Sequence, residues 1–425
     1  MATLAINGGE AVRTAQFPSW PIWDQRELDQ VTEVVKSGNW GGIPGTKCQE
    51  FATTFARLQN ATYGVPVMNG TAALQVSLRA VGVGAGDEVI VPALTWIATP
   101  QAALYLGAIA VFCDVEPDTF NLDVARLEAS ITSRTKAIVP VHLGGLPVNL
   151  DAVLAVARKH HLAVIEDCAH AHGAQWRGRG VGSWGDLGAF SFQQSKVVTS
   201  GEGGCILTND RHLAELSASL INCGRIRKDD ETLVEHPFGY NFRLTDLQAA
   251  MLVAQLSRLD ELTARRAANA RILDSQLARI DGLAPLRREP GVDRQAYYIY
   301  HFRYDPDRFD GLSRDDFCKA MRAEGIPCGS VRGQLVYKNP LFGANPVRSA
   351  PAVIPGPNGL VDYSEVSCPV AEDVAERTGV ALEQHILLGT ADDVADVARA
   401  AQKVREHAHE AVGAAASPPA SRGRR

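Results

Sequence analysis

"LDAVLAVARKHHLAVIEDC", Leu150 to Cys168, carries two periodicities in one short stretch. Leu150, Val153, Leu154 and Ala157 recur at helical spacing, and the continuous apolar run Ala163–Ile165 then ends on the acidic pair Glu166 and Asp167. A helix feeding a strand that is apolar on both faces is half of a crossover unit in a sheet covered on both sides. Outward from it the pattern repeats. "VPVMN", "DEVIVPA", "AVFCDV", "AIVPVHL", "GAFSF" and "GCILTN" read as further strands between Val65 and Asn209, with "TAALQVSLRAVG" as another helix. This alternation predicts an α/β domain with a mostly parallel central sheet.

Beyond the last strand, "NDRHLAEL" predicts a helix capped by Asn209 or Asp210, and Leu244 to Ile280 reads as one long helical connector. "AYYIYHFRY" then predicts a strand and "SRDDFCKAMRAEG" a helix, the start of a smaller α+β domain. The expected organisation is a large domain over 1–282 including the N-terminal segment, a small C-terminal domain over 283–412, and a disordered tail over 413–425.

The 425 residues are 46% hydrophobic and 21% charged, ordinary values for a globular chain. A net charge of -6 offers no basic footprint for nucleic acid. No apolar run approaches the roughly 20 residues that cross a bilayer, and the first residues lack the form of a secretory signal. The eight cysteines are scattered without a CxxC pair, which implies reduced thiols and a cytoplasmic setting.

Several motifs fail on context. "GVGSWG", Gly180 to Gly185, precedes a strand instead of joining strand to helix, as a dinucleotide fingerprint requires. "CAHAH", Cys168 to His172, has no second Cys/His pair to complete a tetrahedral metal site, so no metal is expected. Neither a P-loop nor a GxSxG elbow occurs.

Three stretches survive, all at the carboxyl ends of strands, where open α/β sheets bind ligands. "NGTAAL" puts Gly70 and Thr71 at a helix N-terminus, which suits a phosphate and equally suits a plain N-cap. Asp167 ends an apolar strand, where a carboxylate needs a cation or hydrogen-bond donors; Glu166 points to the opposite face. "SFQQSKVVTSGEGG" holds one lysine, Lys196, between a strand and a glycine cluster. An amine in a partly dry pocket attacks carbonyls, whereas an exposed one is only a charge. An anion site, a carboxylate and an amine together match the needs of pyridoxal 5'-phosphate.

With "PALTWIAT", "EDCAHAHGA" and "GYNFRLTDLQAA", these stretches resemble the DegT/DnrJ/EryC1/StrS aminotransferases from about Ile6 to Gly389. The resemblance implies the fold type I architecture of aspartate aminotransferase, a pyridoxal phosphate cofactor, and a homodimer with its active site at the subunit interface. It makes Lys196 the Schiff-base lysine and Asp167 the partner of the ring nitrogen, and it lays Trp96 on the ring face. Gly70, Thr71 and Ser191 take the phosphate, with Asn241 reaching it from the second subunit. His170 stands near the ring's phenolic oxygen, where many members have glutamine. Lysine at 196, where related sugar dehydratases have histidine, implies transamination.

The branch resembled moves an amino group from L-glutamine, or glutamate, to a keto-cyclitol such as 2-deoxy-scyllo-inosose or scyllo-inosose, in aminocyclitol antibiotic biosynthesis. The alternatives are a nucleotide-diphospho-keto-sugar aminotransferase, an enzyme like 3-amino-5-hydroxybenzoate synthase, and a pyridoxal phosphate-binding regulatory paralogue without turnover. A nucleotide substrate would draw on "GNWGGIPG" (Gly38 to Gly45), "RIRK" (Arg225 to Lys228) or "SVRGQLVYK" (Ser330 to Lys338).

Overall fold

The structure is a computed structural model and describes residues 3–43, 45–228, 232–235, 238–331, 334–342, 355–356, 359–360 and 362–415. Seven strands form the central sheet: β1 (Tyr63–Val67), β2 (Glu88–Pro92), β3 (Ile109–Cys113), β4 (Thr135–Ile138), β5 (Ala163–Asp167), β6 (Leu187–Ser191) and β7 (Gly204–Thr208). Their order is β1-β7-β6-β5-β4-β2-β3. The pairs from β6 through β3 are parallel, and β7 alone runs against its two neighbours.

Successive strand residues point to opposite faces, and both faces are buried. Ile90, Ile138, Val164, Phe190 and Leu207 join Phe51 and Phe55 of the helix Thr46–Leu58 in one core. Their neighbours Val89, Val91, Ile165, Leu187, Ala189 and Ile206 pack with Ala73, Leu74 and Val76 of the helix Gly70–Ala80 in the other.

A second sheet of four antiparallel strands, in the order Leu283–Pro285, Ile299–Tyr304, Gly379–Glu383, Cys328–Ser330, packs against the helices Arg314–Ala323 and Ala391–Glu406. Three details differ from the sequence expectation. The long connector is two helices, Asp246–Leu256 and Leu259–Leu277, broken where the buried Arg258 turns to pair with Asp24 and Glu27. The N-terminal segment, counted above with the large domain, shares the second core: Leu4 is buried there, and Arg13 pairs with Asp393 at 2.7 Å and Asp396 at 2.9 Å. The helix Ala408–Ala415 runs past the expected boundary at 412, and residues 416–425 lie outside the described residues. Among the described residues no helix is long and apolar enough to cross a membrane.

Two buried imidazoles give the fold a pH dependence. His172 sits among Phe55, Phe190 and Phe192, and His301 lies in the strand Ile299–Tyr304. Burial pushes each from 6.5 down to about 3. Between those values the unfolded chain binds the extra protons, so stability falls as pH drops below 6.5 and is level above it. At pH 5 the loss is about 2 kcal/mol for each histidine. Thermal unfolding of His172→Leu at pH 7.5 and 5.0 should show a smaller drop in Tm than the parent chain.

Candidate active site

β2, β5 and β6 end at one edge of the sheet, and alternation decides what they present. Ile165 lies on the face covered by the helix Gly70–Ala80, so Asp167 continues that face. Leu187 and Ala189 lie on the same side, so Ser191 does likewise. Glu166 points the other way, as its place in the strand requires, and is fully committed. Its carboxylate accepts from the backbone N–H groups of Gly182, Trp184 and Gly185, each at 2.8 Å, and pairs with His142 Nε2 at 3.1 Å. Two glycines of "GVGSWG", Gly182 and Gly185, thus serve a buried carboxylate. Burial raises the Glu166 carboxyl, but His142 and these amides outweigh it, and the net direction is down.

Asn69 caps the helix Gly70–Ala80, its Oδ1 accepting from Ala72 N at 2.8 Å. The N–H groups of the first turn have no acceptor within the helix. Gly70 is pressed against β6: a Cβ there would stand 2.6 Å from the Ser191 Cβ. Gly204 is constrained similarly, since its Cβ would lie 2.4 Å from the Asn69 carbonyl oxygen. Ser191 therefore lies against the start of this helix, where the free amides of Gly70 and Thr71 suit an anion.

Asp167 is only 5% exposed. Its Oδ2 accepts from the Thr99 hydroxyl at 2.8 Å and its Oδ1 from Ala169 N at 3.1 Å. Thr99 in turn meets Thr95 Oγ1 at 3.0 Å. Burial raises the carboxyl; Thr99, Ala169 and the charge of Lys196 pull it down, and the net direction is upward. A carboxyl in this position ionises fully when a further cation faces it.

Lys196 follows β6 in a tight turn. Gln194 N donates to the Gly201 carbonyl and Lys196 N to that of Gln193, both at 2.8 Å, and Gly201 adopts φ 83° to close the loop. The Lys196 Nζ lies 4.3 Å from the centroid of the Tyr298 ring, and the His170 ring lies 4.4 Å from that of Tyr298. His170 Nδ1 accepts from Gly144 N at 3.3 Å. In the neutral ring, this acceptor role for Nδ1 leaves the proton on Nε2.

The structure thus joins Gly70 to Ser191, gathers Lys196 and His170 around Tyr298, and puts Asp167 within reach of the lysine's charge. Trp96 is 57% exposed and Asn241 is exposed; among the described residues no hydrogen bond or ring contact ties either side chain to this group. Asn241 lies on a segment that flanks β1, where Met68 N donates to the Phe242 carbonyl at 2.8 Å. Sequence reasoning missed Tyr298 and Thr99. Thr99 had a signal, since it closes the quoted "PALTWIAT" four residues after Thr95; Tyr298 stands 102 residues beyond Lys196 and had none. Of the nucleotide linings, Arg225 Nε donates to the Asn222 carbonyl at 3.3 Å. The side chains of 226–228, and residues 44, 332 and 333, lie outside the described residues.

Cys168, His142 and Glu166 bring three donor atoms within 4.8 Å of one another. Burial, with Glu166 and Asp167 beside it, pushes the Cys168 thiol well up, and the Glu166 carboxylate is already taken up by His142 and three backbone amides. The group that the residues do fit is pyridoxal 5'-phosphate: an amide corner that a Cβ would fill, a primary amine, and a buried carboxyl that calls for a cation.

Comparisons with known proteins agree. The chain is 40% identical to a relative from Streptoalloteichus tenebrarius, provisionally named as an L-glutamine:3-amino-2,3-dideoxy-scyllo-inosose aminotransferase, over 95% of this chain and 98% of that one. It is 40% identical to the L-glutamine:2-deoxy-scyllo-inosose aminotransferase of Micromonospora echinospora over the same shares, 95% and 98%. The crystal structure of 3-amino-5-hydroxybenzoic acid synthase superposes with a TM-score of 0.82 at 33% identity, covering 93% of this chain and all of that one. Residues 21–402 match the DegT/DnrJ/EryC1/StrS aminotransferase family, and the chain belongs to that family of pyridoxal 5'-phosphate-dependent enzymes.

Proposed function

We propose that this aminotransferase moves the amino group of L-glutamine to a keto-cyclitol of the scyllo-inosose type, either 2-deoxy-scyllo-inosose, scyllo-inosose or an already aminated relative. The observation that carries the reading is a lysine and a buried carboxylate on one sheet edge, in a chain that aligns along nearly its whole length with enzymes named for that donor and those ketones.

Pyridoxal 5'-phosphate, when bound, supplies an aldehyde for exchange with amines and a ring that takes up the electron pair released at the donor's α-carbon. The chain's own residues do the rest. Lys196 would hold the cofactor through Nζ; with that nitrogen freed by the donor, the amine would take the proton from the donor's α-carbon and give it up to the carbon that carried the aldehyde, rather than back to its origin. Asp167, oriented by Thr99, would hold its negative charge toward the ring nitrogen. The amides of Gly70 and Thr71, with the Ser191 hydroxyl, would hold the phosphate. His170 would offer its Nε2 proton to the ring's phenolic oxygen, and the exposed Trp96 indole would cover the ring face. Asn241 completes the phosphate site of a second subunit, so the working form is a homodimer; the exposure of Asn241 supports this. A cytoplasmic setting agrees with eight cysteines that are all free.

Gly70→Ala tests the phosphate corner. The added Cβ forces the helix N-terminus away from Ser191, and cofactor affinity should fall about tenfold or more in a fluorescence titration. The substrate reading is tested in two half-reactions. L-glutamine should convert the cofactor-loaded protein to its amino form, seen as a change in visible absorbance. 2-Deoxy-scyllo-inosose or scyllo-inosose should then reverse the change. Reversal by a TDP-linked keto-sugar but by no cyclitol ketone would overturn it.

A further inference from the structure

The Lys196 turn is held from outside by side chains that the mechanism does not use. Trp20 Nε1 donates to the Gln194 carbonyl at 3.1 Å. Gln384 Nε2 donates to the Ser195 carbonyl at 3.1 Å and stands 3.5 Å from that of Lys196. Gln384 follows directly on the small-sheet strand Gly379–Glu383, so the second sheet reaches the lysine's own main chain. Its other end is also engaged: Gln384 Oε1 accepts from Arg266 Nη2 at 2.5 Å.

Arg266 is the unusual member. It projects from the helix Leu259–Leu277 and is 0% exposed. Among the described residues its guanidinium makes this one side-chain hydrogen bond and no ion pair; Nε and Nη1 have no hydrogen-bond partner. The Trp20 ring centroid lies 5.6 Å from its Cζ. Burial pulls the guanidinium down to about 9. A buried cation with no carboxylate is costly to the fold, so whatever Arg266 contributes lies in something other than stability.

Hydrogen-bond polarity supplies that effect. Arginine has donors and no acceptors, so the Gln384 amide must turn its oxygen to Arg266. Its NH₂ group then has one direction left, toward the carbonyls of Ser195 and Lys196. A flipped amide would oppose donor to donor at one end and oxygen to oxygen at the other. We propose that Arg266 and Gln384 are positioning residues: the guanidinium fixes the sense of the Gln384 amide, and the amide holds the main chain of 195–196 so that Lys196 Nζ is presented beside Tyr298. The small-sheet segment and the lysine turn then move as one. This rests on the reading of Lys196 as the cofactor-bearing lysine.

The test is amide hydrogen exchange by mass spectrometry on the cofactor-free protein, comparing a peptide over 193–201 with a sheet peptide over 163–168. Gln384→Glu keeps an oxygen for Arg266, and indeed pairs with it, but loses the donor to the carbonyls. Its Tm should be no lower than the parent's, while exchange in 193–201 rises about fivefold, the weight of one hydrogen bond, and exchange in the sheet peptide does not rise. Gln384→Leu and Arg266→Met should loosen the same peptide, and in the loaded enzyme kcat should fall while KM for L-glutamine holds. Unchanged exchange in 193–201 of Gln384→Glu, or an equal rise in both peptides, overturns the proposal. If Gln384→Leu fails to fold, Gln384→Glu decides alone. The parent reading fails separately, by absence of a cofactor label on Lys196 in the unmutated chain.

Discussion

Lys196→Ala is expected to abolish turnover with L-glutamine, lowering kcat by about 10⁴-fold or more, because one nitrogen both anchors the cofactor and carries the proton. The fold should survive. The Lys196 side chain is partly exposed, and its packing is a cation over the Tyr298 ring, a contact of roughly 0.5–1 kcal/mol at such sites. Lys196→Arg separates charge from chemistry. Guanidinium keeps the positive charge near Tyr298 and Asp167, yet it does not release a proton at working pH. It should be as inactive as the alanine variant in a single-turnover assay. Activity within tenfold of the parent chain in either variant would contradict the assignment.

Asp167→Asn is the second large effect, with kcat expected to drop on the order of 10²–10³-fold, the scale seen when a preorganised electrostatic group is removed. Asparagine keeps an oxygen for the Thr99 hydroxyl but turns its NH₂ toward the Ala169 N–H, so the loss reports the charge together with that one backbone bond. Thr99→Val refines the point. The Thr99 hydroxyl bonds the carboxylate and lowers its pKa against the rise that burial imposes. Without that bond the Asp167 pKa goes up, so the acid limb of the kcat/KM profile should move to higher pH. A limb that stays in place or moves to lower pH would show that Asp167 is not the group titrating there.

How much of this was legible in the sequence follows from the range of the interactions. All seven sheet strands were readable because each announces itself by a local apolar run, and both cores follow from the strand period of two. The opposite orientations of Glu166 and Asp167 were readable for the same reason. The break between Leu256 and Leu259 was not: "QLSRLDEL" keeps helical spacing and has neither glycine nor proline, and the turn is fixed by Arg258 reaching back to Asp24 and Glu27. The attachment of the N-terminal segment to the second core depends on Arg13 meeting Asp393 and Asp396, partners from the other end of the chain. Tyr298, Arg266 and Gln384 belong to the same class. Each is ordinary in its own neighbourhood and acquires a role only when the chain brings distant segments to the lysine turn.

The most direct measurement is borohydride reduction of the cofactor-saturated protein followed by peptide mass spectrometry. A pyridoxyl phosphate adduct on the peptide bearing Lys196, and its disappearance in Lys196→Ala, is the predicted result. An adduct on another lysine, or none at all, would contradict the account.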